Sequence, residues 1–138
     1  MTAAAGLNAQ EVTEYLDRVW PGVTSSMTME EVADRRARLR MHVGENGLRP
    51  GRIVSGPALM SLADSAVGAA IIGVLGDAAM AVTVSLTIHV LRPAPQGDVI
   101  AEAQLHRVQQ RLATAMCSSP PKGRPSPSRR PVTYALPQ

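Results

Sequence analysis

Between Pro57 and Leu75 the chain reads PALMSLADSAVGAAIIGVL, and its apolar residues fall on every side of a helical projection instead of along one stripe. A helix of that kind has no face to offer to water, so other structure has to enclose it. Pro57 stands where proline is best tolerated, at the first helical position, which predicts Gly56 as the N-cap. The stretch approaches bilayer-spanning length, but Ser61, Asp64, Ser65 and two glycines interrupt it. It is therefore read as a core helix, and no membrane partner is expected.

The enclosing element is expected to be a sheet. Ala81–Leu91 is rich in β-branched residues and is broken by Arg92-Pro93; Gly97-Asp98 makes a turn into Val99–Val108, and Arg111–Cys117 follows as a further strand. Upstream, Asn8 with Glu11 three residues on resembles a capping box, opening a helix with Val12, Leu16 and Val19 on one face that ends before Pro21. The residues after it read as a loop as far as Arg36. From there Ala37, Leu39, Met41 and Val43 alternate with Arg36, Arg38, Arg40 and His42, the period of a half-buried strand. Gly44–Gly56, with four glycines and Pro50, reads as a loop. One α+β domain over residues 1–138 is expected, an antiparallel sheet wrapped around the long helix, with residues 1–29 as an N-terminal helix and loop.

Residues 118–131, SSPPKGRPSPSRRP, hold five prolines in fourteen positions and break every pattern, which excludes a central strand there; VTYAL then resumes strand periodicity. The same region explains the net charge of +3. All 11 acidic residues lie at or before Glu102 beside eight of the 14 basic ones, a balance of −3, and the other six basic residues follow with no acid among them. Basicity confined to that segment, with Tyr15, Trp20 and Tyr134 the only aromatic residues, lacks a base-stacking platform, so no nucleic-acid partner is expected. The core must be aliphatic. A single cysteine, Cys117, excludes an internal disulfide and a multi-thiolate metal site, and with no secretion signal in MTAAAGLNAQEVTEYL the expected location is cytoplasmic.

The stretch SGPALMSLAD, Ser55 to Asp64, resembles the signature of the hotdog-fold acyl-CoA thioesterases of the phenylacetate-degradation (PaaI-like) branch. In those proteins a His-Gly-Gly motif precedes a short apolar stretch and an acidic residue within the helix; here Ser55, Gly56 and Pro57 occupy the motif positions, similar to a minor branch with the pattern SGPxLMxLAD. The resemblance continues through AVTVSLTIHVLRPAPQGDVIAEAQLHRV and RLA and ends with VTYAL. Where relatives carry a strand, a turn and a strand, residues 118–131 look like a stretch translated out of frame and then restored. The resemblance implies a hotdog fold, hydrolysis of an acyl-CoA in which CoA belongs to the substrate and no cofactor or metal is needed, and a homodimer or dimer of dimers.

The chemistry needs donors where negative charge develops on the thioester oxygen, and a base or nucleophile. Gly56 opens the central helix, where N–H groups are unpaired and a missing side chain allows close approach; Pro57 cannot donate. Asp64 is the only ionisable residue between Pro57 and Leu75, which marks it as the catalytic carboxylate, with a structural hydrogen-bonded role as the competing reading. Eight helical residues place Gly56 and Asp64 roughly 12 Å apart, too far to act on one carbonyl, so a shared site needs Gly56 from one subunit and Asp64 from another. Thr83 matches a position where relatives place a small hydroxyl near the carboxylate. Ser55 either contacts the acyl group or caps the helix, and Pro57 lies beside it. Arg92, Arg107 and Arg111 flank the strands expected to line the mouth and are candidates for CoA. A non-catalytic hotdog protein that binds acyl-CoA or only assembles is the alternative.

Overall fold

The computed structural model describes residues 6–119 and, as backbone, 130–135. Residues 120–129 of the proline-rich segment, and with them the out-of-frame reading, lie outside the described residues. The expected α+β arrangement is the one observed. A six-stranded antiparallel sheet, in the order β1-β2-β6-β7-β8-β5, curves around α2 (Gly56–Leu75). The strands are β1 (Met27–Ala33), β2 (Arg36–Met41), β5 (Val82–Leu86), β6 (Val99–Val108), β7 (Leu112–Ser118) and β8 (Arg130–Ala135); a short ribbon of β3 (Leu48–Arg49) and β4 (Ile53–Val54) precedes α2.

Helix α1 (Ala9–Val19) opens with the expected capping box: Glu11 N–H donates to Asn8 Oδ1 and Asn8 N–H to Glu11 Oε2, both at 2.9 Å. Its buried Val12 and Tyr15 face β1 and the end of α2, where Leu7 N–H donates to the Gly73 carbonyl at 2.9 Å. Helix α2 is apolar enough and long enough to cross a bilayer, yet half of it is buried inside the protein. It packs on β2, β6 and β7. The resulting core is aliphatic as expected, with Leu39, Leu62, Ile71, Val12 and Val67 its largest fully buried side chains.

The segment before Arg36 is not a loop: β1 pairs with β2 through a two-residue turn, Asp34-Arg35, both at positive φ (51° and 64°). A bulge explains why the sequence hides this strand. Met29 pairs with Leu39 and Glu31 with Arg38, so Glu30 is supernumerary and the inward phase slips from Met27 and Met29 to Val32. The loop expected over Gly44–Gly56 likewise contains a 3₁₀ turn (Glu45–Gly47) and the β3–β4 ribbon. Strand β5 ends at Leu86 instead of Leu91. Its ladder runs from Val82↔Ala135 to Leu86↔Val132, and the next β8 residue is Pro131, which has no N–H to continue it. The expectation that 118–131 holds no central strand is corrected at both ends of the segment, since β7 extends to Ser118 between β6 and β8, and β8 begins at Arg130 between β7 and β5. Pro131 pairs with Met116 of β7 but sits beyond the β5 ladder, so on that side its missing donor costs no bond.

On the outer face of the sheet Glu30 receives Arg38 (3.0 Å) and Arg40 (2.8 Å); Arg38 also pairs with Glu102, and Arg40 and His42 reach Asp98 at 3.6 and 3.3 Å. The Arg40 hydrogen bond, ahead of the Arg38 bond, holds the Glu30 carboxyl below its ordinary range. These pairs are partly exposed and contribute little each, about 0–1 kcal/mol. On the inner face, burial, aided by the Glu102 charge, pushes the Cys117 thiol up to about 12. Folded protein at pH 8 is therefore expected to leave Cys117 unmodified by an aromatic disulfide reagent, with one equivalent reacting once denatured; prompt reaction of the folded state would contradict this burial. A second expectation concerns Gly73, where an added Cβ would lie 2.5 Å from Val32 Cγ1 and 3.6 Å from the Leu7 carbonyl oxygen. Gly73→Ala should cost about 1–3 kcal/mol by urea denaturation despite alanine's better helix propensity, and Val32→Ala in the same chain should recover part of it.

Candidate active site

The start of α2 is held by the loops beneath it. Pro50 and Gly51 occupy the two central positions of a type II turn, Gly51 at φ 90°, closed by Arg52 N–H donating to the Arg49 carbonyl at 3.0 Å. The chain then runs extended, with Val54 N–H donating to the Ala94 carbonyl and Ser55 N–H to the Gly47 carbonyl, each at 2.8 Å. Ser55, not Gly56, is the N-cap. Its backbone is extended (ψ 152°), and its Oγ accepts from Ala58 N–H at 3.3 Å. Serine carries the oxygen that glycine lacks, so the cap falls one residue earlier than proline placement alone suggests.

That one-residue correction sharpens the role open to Gly56. Ala58 N–H is taken by Ser55 and Pro57 has no N–H, which leaves the Gly56 N–H as the donor at the helix start with no partner among the described residues. Gly56 does not adopt positive φ, and a Cβ there would meet nothing within 4 Å. Neither backbone conformation nor crowding within the protomer explains the glycine. The room above it is open to a ligand.

Two turns further along α2, Asp64 is half-buried, and Thr83 Oγ1 donates to its Oδ1 at 2.6 Å. The structure thus brings Asp64 and Thr83 together, linking the helix to β5, the outermost strand of the sheet. Gly56 stays apart on the same helix, roughly 12 Å away at ~1.5 Å per residue. Around the pair the protein is uncovered. Pro57, Met60 and Ser61 are exposed along one face of α2, continued by the half-buried Asp64, Ser65 and Gly68, while Val82 and Val84 of β5 are 63% and 60% exposed.

The arginines divide. Arg92 lies exposed in the bend two residues before Ala94, whose carbonyl accepts from Val54 N–H on the approach to α2. Arg107, paired with Thr114, is exposed three strands from β5, roughly 14 Å, and Arg111, exposed in the β6–β7 turn beside Leu112, is two strands from β5, roughly 10 Å. Arg52 was missed by sequence reasoning. It sits at φ 54°, and its guanidinium spans Glu45 and Gln96 at 2.9 Å each, tying together the loops that hold Ser55. The Pro50-Gly51 turn was the available signal for its position. His89 and His106 are exposed, and His42 belongs to the outer-face ion pairs.

Comparison with known proteins adds to this geometry. A family model described as the thioesterase superfamily matches residues 51–117, from the turn before β4 to the end of β7. A candidate thioesterase from a Silicibacter species is 30% identical, covering 96% of this chain and 93% of its own, with a TM-score of 0.83. The Escherichia coli PaaI protein from the phenylacetic acid degradation operon superposes at a TM-score of 0.69 with 17% identity, covering 93% of this chain and 92% of its own. Zebrafish thioesterase superfamily member 2 gives 0.70 with 21% identity over the same shares of the two chains. The last two share the fold. No curated protein matches the chain.

Proposed function

We propose that this chain, which belongs to the thioesterase superfamily and has its hotdog fold, hydrolyses an acyl-CoA to a free carboxylic acid and CoA. The observation that carries this reading is the Thr83–Asp64 bond at an exposed junction of helix and sheet edge, with the Gly56 N–H, a donor without a partner among the described residues, two turns away. In the reaction Gly56 N–H donates to the thioester carbonyl oxygen, where charge develops as the tetrahedral intermediate forms. Asp64 either takes a proton from the water that attacks the carbonyl carbon or attacks it directly; the C–S bond then breaks and the CoA sulfur leaves as a thiolate that is protonated, and in the direct route water then opens the acyl–Asp64 anhydride to release the acid and restore the carboxylate. Thr83 fixes the rotation of the carboxylate. Ser55 supports the site as the helix cap, and Arg92, exposed in the bend two residues before Ala94 on the approach to α2, is the arginine assigned to the anionic part of CoA.

Gly56 and Asp64 of one helix cannot reach one carbonyl, so the proposal includes a symmetric dimer with two composite sites. Two features support it. Among the described residues an unpaired edge strand carrying Val82 and Val84 adjoins the exposed stripe of α2, and an apolar, unpaired edge of this kind is a template for pairing with a second chain.

The test is CoA release from short, medium, long and aryl acyl-CoAs, a thiol assay that the buried Cys117 does not disturb. Asp64→Asn and Asp64→Ala, folded and of unchanged oligomeric state, should lose about 10²–10⁴-fold in kcat. Mixing the Asp64→Asn chain with a Gly56→Val chain should restore up to a quarter of wild-type activity, since one site of each mixed dimer is then intact; no recovery from mixed dimers would reject the composite site. Single turnover in ¹⁸O-water bears on the two roles of Asp64, because label in its carboxyl requires an acyl–Asp64 anhydride opened by water at that carbon, whereas a general base sends all the label to the product. A wild-type chain that binds acyl-CoA without turnover would leave the non-catalytic reading.

A further inference from the structure

Within one protomer, strand β5 has little burial to hold it. Val82, Thr83, Val84 and Ser85 are all exposed, and the strand pairs on one side only, with β8. What fixes its beginning is the connection Gly76–Ala81, which leaves α2 through Gly76 N–H to the Ile72 carbonyl (2.7 Å) and turns through Ala81 N–H to the Ala78 carbonyl (3.0 Å). This connection is gripped from outside by a residue 62 positions upstream. Tyr15, buried on α1, donates its phenol hydrogen to Asp77 Oδ1 at 2.5 Å, and its oxygen accepts from Ala79 N–H at 3.2 Å.

We infer that Tyr15 is a positioning residue for the Asp64–Thr83 pair, so that the N-terminal helix is part of the catalytic apparatus; this rests on the proposed role of that pair. The path is short, with hydrogen bonds at its two ends and a few residues of backbone between them. Tyr15 locks Asp77 and Ala79, Ala79 lies inside the turn that ends at Ala81, and Thr83 follows two residues later with its hydroxyl on Asp64. Helix α1 supplies a rigid base for the grip. Its capping box fixes one end, Val12 is fully buried, and Leu7 N–H ties the preceding residue to the Gly73 carbonyl of α2. Removing the phenol oxygen leaves the ring to fill its place but frees Asp77 and the Ala79 N–H. The start of β5 then relaxes, and Thr83 samples orientations in which it no longer holds the carboxylate. Misplacement of a reacting group by about 1 Å can cost 10²-fold in rate, so a partial loosening should cost several-fold.

The experiment compares wild type, Tyr15→Phe, Asp77→Ala, Thr83→Val and the Tyr15→Phe/Thr83→Val double variant, measuring kcat and KM for the best acyl-CoA and amide hydrogen exchange over Ala79–Ser85. Tyr15→Phe and Asp77→Ala should each lower kcat about 3–10-fold with KM within twofold, and should speed exchange in that window. Thr83→Val should cost at least threefold less in the Tyr15→Phe background than in wild type. Unchanged kcat, strictly multiplicative effects of Tyr15→Phe and Thr83→Val, or unchanged exchange would overturn the inference. A wild type without turnover on any acyl-CoA would instead reject the proposed reaction, and unchanged exchange alone would then still overturn the coupling of Tyr15 to β5.

Discussion

Everything in this protein follows from a helix that cannot be left in water. Helix α2 is apolar on all sides, and a sheet can cover only part of a cylinder. The sheet takes the faces carrying Leu62, Ala66, Val67, Ala70 and Ile71 and leaves a strip from Pro57 through Met60 and Ser61 to Asp64 and Ser65. That strip is where the chain places the one carboxylate of α2, Asp64, and the Gly56 N–H. The candidate chemistry therefore occupies the portion of the helix that the fold itself leaves uncovered.

Small residues make this geometry possible. The α2 sequence buries Ala63, Ala66, Ala69, Ala70 and Gly73, and the facing strands bury Ala37, Ala101, Ala103, Ala113 and Ala115. With so little side-chain bulk between them, helix and sheet approach closely, and the core needs no phenylalanine. The same closeness makes Gly73 sensitive to a single methyl group, because Val32 already fills the space beside it. Close packing fixes α2 firmly, whereas β5, which has no such packing, depends on individual hydrogen bonds.

Much of the architecture was legible in the residues. The Asn8–Glu11 capping box, the alternation from Arg36 and the runs Val99–Val108 and Arg111–Cys117 each carry a local signal stronger than its surroundings, and each appears where expected within a residue or so. The failures share a cause, which is that the deciding partner lies elsewhere in the chain. A bulge set against Leu39 and Arg38 disguises β1, and Pro131, some 45 residues downstream, ends β5. At the site, Asp64 and Thr83 were paired through family resemblance, and the structure supplies the bond between them. The cap at Ser55 required knowing where the serine oxygen points, and the grip of Tyr15 on Asp77 has no local signature at all.

The two borders of the sheet are built unlike each other. Strand β1 carries a bulge and the adjacent acids Glu30 and Glu31, and α1 packs against it, all features that discourage another strand from adding there. Strand β5 is short, uncharged and open. A sheet that could grow at both borders would be a repeating unit for a fibre, but one that can grow at a single border is used up by its first encounter with a like border. Among the described residues the asymmetry between β1 and β5 leaves one border free, so strand-to-strand pairing at that border would join two copies and offer no second border for a third.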